Sequence, residues 1–128
     1  MIVDSSALVA VFLKEPRFEV LIEKLVRGTS LGIGTPNLLE CGMVLTARLR
    51  RDARPLILRF LQEFAIVPVP FGDEHWREAM EAYIRFGKGR HAAALNLGDC
   101  CAYATARLAR QPLLCTGDDF ARTDAELA

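Results

Sequence analysis

Four acidic positions lie where solvent-facing charge is unusual. Asp4 ends the apolar run 1–3, and either Asp118 or Asp119 closely follows the apolar run 113–115. Glu40 and Asp99 fall near the starts of helix-like stretches. Val44 and Ala47 stack above Glu40; Ala102, Tyr103 and Ala106 stack above Asp99. Each acid also has a structural reading. Asp4 suits a helix N-cap, Glu40 a snorkelling or arginine-paired charge, Asp99 a cap or a partner of the helix dipole. Asp118 or Asp119 suits an ordinary turn. Taken together, two positions are strand ends and two are helix starts, and in a parallel α/β unit those places share one edge of the sheet. Carboxylates crowded there repel and take up protons. A divalent cation removes the conflict, and all-oxygen ligation suits Mg²⁺ or Mn²⁺, which keep waters and accept phosphate oxygens. The chemistry favoured is metal-assisted phosphodiester hydrolysis.

The elements that must hold these acids follow from apolar spacing. Residues 1–3 read as a buried strand that feeds a helix over 7–13. Pro16 bars its smooth continuation, and 18–27 is amphipathic, closed by Gly28. Residues 30–34 form a strand weakened by glycines. Thr35-Pro36 starts a helix as N-cap and first helical residue. That helix runs to about residue 51 and is apolar almost all round (Leu38, Leu39, Met43, Val44), which places it inside the fold. Residues 54–64 are again helical, and the prolines of 65–70 make that strand short or peripheral. A helix over 72–86 carries Trp76, Met80 and Tyr83 on one face. A flexible basic loop follows at 87–91. A helix to Arg110 and a strand at 113–115 complete the pattern. Alternating strands and helices imply right-handed βαβ units. The expected fold is a three-layer α/β/α sandwich with a mostly parallel sheet of four or five short strands, one domain over 1–128.

Sixteen basic residues balance sixteen acidic ones, so net charge alone does not indicate a nucleic-acid partner. The densest basic cluster is Arg48, Arg50, Arg51 and Arg54, with Lys88, Arg90 and His91 a second. Such runs are solvated faces or, functionally, contacts to an RNA backbone. Ser6 and Thr116 are placed to support the acids by hydrogen bonds or to serve plain turns and caps. The four cysteines form no zinc-type spacing and read as reduced core thiols. No apolar run is long enough to span a bilayer. The start lacks a signal-peptide pattern, so a cytoplasmic location is expected. An aspartyl-nucleophile phosphatase needs a second Asp two residues after the first, where Ser6 stands. A cysteine nucleophile has no histidine partner in view.

Ile2-Val3-Asp4-Ser5-Ser6-Ala7, the Asn37-Leu38-Leu39-Glu40 region, Asn96-Leu97-Gly98-Asp99-Cys100 and Leu113-Leu114-Cys115-Thr116-Gly117-Asp118-Asp119-Phe120 together resemble PIN domains. More narrowly, the chain resembles VapC toxins of bacterial VapBC toxin–antitoxin systems, over nearly its whole length. The resemblance implies a PIN-like fold and a Mg²⁺-dependent endoribonuclease, held inactive by a VapB-like antitoxin and usually a homodimer. It carries over Asp4, Glu40 and Asp99 as the acidic core, with Asp4 and Asp99 on the metal. The fourth acid falls on Asp118, nearer the strand end, with Asp119 the alternative. The rival reading is a non-catalytic RNA- or protein-binding module of the same fold. Retention of all the acids argues against it.

Overall fold

The computed structural model describes all 128 residues. Four strands form one sheet: β1 (Ile2–Val3), β2 (Leu31–Gly34), β3 (Ile66–Val69) and β4 (Leu113–Leu114). Their order is β3-β2-β1-β4 and every pairing is parallel. Six helices cover the sheet: α1 (Ser5–Phe12), α2 (Phe18–Arg27), α3 (Thr35–Leu49), α4 (Arg54–Glu63), α5 (Asp73–Phe86) and α6 (Leu97–Ala109). A 3-10 turn spans Phe120–Arg122. No helix is long and apolar enough to cross a membrane.

Strands of two residues persist because both of their faces are buried. Val3 and Leu114 point into the layer built by α1 to α4; Ile2 and Leu113 point into the layer of α5 and α6. A one-residue slip would exchange the two sets, so packing fixes the register Ile2–Leu113 and Val3–Leu114. The result is the α/β/α sandwich read from the sequence. Pro68 lies on β3, an edge strand, as its missing donor demands. The glycines of β2 have a packing role. A Cβ on Gly34 would stand 2.7 Å from Thr105 Oγ1, so α6 comes close to the sheet only because none is there.

Three expectations need correction. Thr35 is the first residue of α3 and Gly34 takes the cap position, without a side-chain cap bond. Only Asn37, Cys41 and Leu45 of α3 are buried, whereas Leu39 and Met43 are each 65% exposed. α3 packs against α1, α6 and β2 on one side, and its other side borders an open groove of about 770 Å³ shared with α4. Apolar residues all round this helix therefore do not mean burial all round. The loop after α5 is closed rather than loose: Lys88 N donates to Leu95 O (3.0 Å) and Leu95 N to Phe86 O (3.0 Å).

From β1 the chain builds outward through β2 to β3, then crosses to place β4 on the other side of β1. The order thus reverses between β1 and β4. In open α/β sheets the crevice beyond the carboxyl ends at such a point is where ligands bind.

Candidate active site at the carboxyl edge of the sheet

Asp4 stands at that crevice. Its backbone N–H donates to Leu114 O (2.8 Å), tying it to β4, and its side chain caps α1 by accepting from Ser6 N (3.0 Å). The carboxylate is 2% exposed. Its remaining partner is Asn37 Nδ2 at 3.3 Å, and no cation pairs with it. Burial therefore raises its pKa, and the charge on Glu40 adds to the rise, against the hydrogen bonds from Ser6. Capping α1 thus leaves Asp4 at the crevice rather than taking it away.

Glu40 arrives from α3, and Ser5 Oγ of α1 donates to its Oε1. Its carboxylate packs on the first turn of α6, where a Cβ on Gly98 would meet Oε2 at 2.5 Å and Oε1 at 2.7 Å. Glycine at 98 is thus a condition of Glu40's placement. Asp99 follows one residue later. It forms a reciprocal cap with Asn96: Asn96 N donates to Asp99 Oδ2 (3.0 Å) and Asp99 N to Asn96 Oδ1 (2.9 Å). Asp99 is pushed up to about 6, mainly by burial, with the charges on Asp4, Asp119 and Glu40 adding to the rise and the Asn96 N–H opposing it.

Asn37 connects the pieces. It is fully buried in the first turn of α3, and its Nδ2 donates both to Asp4 Oδ1 and to Gly98 O (3.0 Å). One amide therefore holds β1's acid against α6's first turn. Its Oδ1 is buried without a partner, a cost accepted for that bridge. Sequence reading gave Asn37 no role of its own, because an asparagine near a helix start reads as a local cap. It also missed Ser5, one of two adjacent serines.

The remaining candidates divide by position. Ser6 Oγ accepts from Thr116 N at 3.1 Å, so Thr116 takes part through its backbone rather than its hydroxyl. Asp119 is within electrostatic reach of Asp99, whereas Asp118 lines a separate cleft against α2. Cys115 is near both: its thiol is pushed up to about 11, mainly by burial, with Asp4, Asp99 and Asp119 adding to the rise and Lys24 opposing it. Arg48, Arg50 and Arg51 sit at or just past the far end of α3, about 12 Å or more along the helix from Glu40. Lys88 lines a groove beside Asn96 and Leu97, and Arg90 donates to Ile84 O (3.2 Å). All four cysteines are free thiols.

No three carboxylates, thiols or imidazoles stand close enough to form a closed metal cage. The donor set nonetheless fits a hard divalent cation. Asp4 is a buried carboxylate without a positive partner, and such groups are normally paired or metal-bound. Asp4 and Asp99 both carry raised pKa values, from burial first and from neighbouring carboxylates second, which a cation would reverse. Mg²⁺ keeps several waters and is held by one or two carboxylates, so a full cage is not required.

Comparison with known proteins identifies the family. The family model described as PIN domain matches residues 1–126. A VapC ribonuclease of Mycobacterium bovis, Mb2004c, is 44% identical over 127 residues, covering 98% of this chain and 91% of the relative. Ribonuclease VapC36 of Mycobacterium tuberculosis shows the same values. Ribonuclease VapC of Mycolicibacterium smegmatis is 36% identical over 124 residues, covering 97% and 96%. Among solved structures, Mycobacterium tuberculosis VapC20, titled a sarcin–ricin loop cleaving toxin, superposes with a TM-score of 0.79 at 14% identity, over 99% of this chain and 97% of that one. A toxin–antitoxin complex from Klebsiella pneumoniae gives 0.73 at 17% identity, covering 99% and 95%. These two support the fold, and the mycobacterial relatives support the narrower group. An acid-lined crevice at the β1/β4 switch point and relatives matched along almost the whole chain lead to one conclusion: the chain belongs to the PIN-domain family, in its VapC branch.

Proposed function

We propose that this chain is a divalent-metal-dependent endoribonuclease and the toxin of a type II toxin–antitoxin pair. The observation that carries the reading is Asp4: a buried carboxylate with no cationic partner, in electrostatic contact with Glu40 and Asp99. Relatives named ribonuclease at 36–44% identity support RNA as the substrate.

Asp4 and Asp99 are the proposed metal ligands, with Mg²⁺ the favoured ion and Mn²⁺ accepted. A bound ion of this kind polarises a phosphoryl oxygen and lowers the pKa of a water. Asn37 and Ser6 N hold Asp4 in place, and Ser5 holds Glu40. Glu40 or an exposed aspartate of the loop after β4 would accept the proton that the attacking water loses as its oxygen bonds to phosphorus, and the departing ribose oxygen would take its proton from solvent. For that fourth acid we favour Asp119 over Asp118, because Asp119 is the one whose charge acts on Asp99. Residues 1–128 would act as one catalytic domain. An antitoxin protein and a second copy of the chain are the proposed protein partners; the exposed apolar residues Leu39, Met43 and Leu58 offer surface for such contacts.

The test is cleavage of RNA by the purified chain. Cleavage is expected with Mg²⁺, none with excess EDTA, and a loss of at least about a hundredfold in Asp4→Asn, equivalent to about 2.7 kcal/mol of barrier. Cleavage that persists with all metal chelated would refute the mechanism. A chain that binds RNA and cleaves none with any divalent ion would instead be a binding module.

A further inference from the structure

A polyanion approaching four carboxylates is repelled, so a nuclease of this kind needs cations next to them. Lys88 lines a groove beside Asn96 and Leu97, on the α6 side of the acids, and most of the arginines face elsewhere. Arg54, Arg59, Arg77, Arg85 and Arg107 are engaged in ion pairs. Arg48, Arg50 and Arg51 lie at the opposite end of α3 from its acid.

The carboxyl edge does have a flanking cleft, of about 310 Å³, between α2 and the loop that follows β4. Arg17 and Lys24 form its α2 side, and Cys115, Thr116, Gly117 and Asp118 its loop side. Arg17 is exposed and takes part in no ion pair. Lys24 donates once, to Ala128 O (2.6 Å), and keeps two of its three N–H donors. The loop that forms the far wall also forms the rim of the acid site. Thr116 N is bonded to Ser6 Oγ, two residues from Asp4, and Asp119 follows Asp118 directly. A backbone phosphate in this cleft would therefore lie beside the acids, across a single stretch of loop.

We propose that the Arg17/Lys24 cleft is a phosphate subsite that seats the RNA backbone one or two nucleotides from the bond to be cut. This rests on the ribonuclease reading above and adds where the substrate strand runs. The contact is to phosphate, so it positions RNA without reading its sequence. Asp118, an acid inside the cleft, opposes the bound phosphate and moderates affinity.

The test is steady-state cleavage of a single-stranded RNA in Mg²⁺ over a range of salt. The Arg17→Gln/Lys24→Gln double variant should raise KM about tenfold at low ionic strength with kcat nearly unchanged. It should also flatten the slope of log(kcat/KM) against log[salt] by about 0.7, the contribution of the one phosphate of a single strand that is no longer neutralised. Arg48→Gln/Arg51→Gln should leave the slope alone, and Asp118→Asn should lower KM. Circular-dichroism melting of each variant checks the fold. If wild type cleaves and the Arg17/Lys24 variant keeps its KM and salt slope, the subsite is wrong while the ribonuclease reading stands. If the Arg48/Arg51 variant carries the salt effect instead, the strand runs along α3 and the subsite is likewise wrong. If wild type cleaves no RNA, both readings fall together.

Discussion

Replacing Asp99 with asparagine should make the metal-free protein more stable above pH 6 while removing its metal response. Asp99 titrates near 6 instead of the ordinary 3.8, mainly because folding buries it. Its folded pKa is raised, so the sign is fixed. Below about pH 4 the group is protonated both folded and unfolded and costs nothing. As pH rises from about 4 through 6 the unfolded chain ionises more readily, stability is lost, and above 6 the loss is complete. A displacement of that size corresponds to about 3 kcal/mol. Asp99 is only half buried, so solvent screening leaves about 1–2 kcal/mol in the folded protein. Asparagine removes the charge and keeps the oxygen that accepts from Asn96 N, so the α6 cap survives. In EDTA at pH 8, Asp99→Asn should melt about 4–8 °C above wild type for a chain of this size. The gap should close as pH falls towards 4. With Mg²⁺ added, wild type should gain stability and the variant little. A variant that melts no higher than wild type at pH 8, or a gap that survives at pH 4, would refute the claim that Asp99 is an uncompensated charge.

Gly98→Ala should cut activity about tenfold or more without unfolding the protein, because the new methyl takes the space of the Glu40 carboxylate while alanine favours the helix by about 1 kcal/mol; unchanged kcat would mean that Glu40's seat on α6 is unimportant. Asp119→Asn should lower kcat and Asp118→Asn should not. Equal kcat in both variants would remove the loop after β4 from the chemistry.

Much of this architecture is legible in the residues because its signals are local. The apolar run ending on Asp4 marks both a strand end and the acid beyond it. Residues 18–27 and Gly28 bound α2 where the structure ends it, and the prolines of β3 announce an edge. Features that depend on three elements meeting leave no such trace. Asn37 bridges β1 and α6 from the start of α3, and nothing in its neighbours reveals that. α3 looks fully apolar, yet which side meets the sheet is decided by where α1 and α6 pack, so Leu39 and Met43 end outside. The turn after β4 decides which of two adjacent aspartates acts on Asp99, and turn geometry is not written in the pair Asp118-Asp119. The densest run of basic residues is the arginines near the end of α3, whereas Arg17 and Lys24, seven residues apart and so on one side of a helix, gain a cleft only once α2 faces the β4 loop.

The strand order also sets a sequence in time. β1 lies between β2 and β4, and Ile2 finds its partner Leu113 only after nearly the whole chain exists. Contacts of that span are slow to form, since loop closure precedes their reward. During synthesis, α1 to α4 can gather around β1, β2 and β3 while the second layer and the loop bearing Asp119 are still unmade. Asp4 then lacks the wall of its crevice, and Asn37 lacks the Gly98 carbonyl that completes its bridge. A growing chain of this topology therefore has no complete crevice until β4 is laid down beside β1, because that last strand and the loop after it supply the far wall.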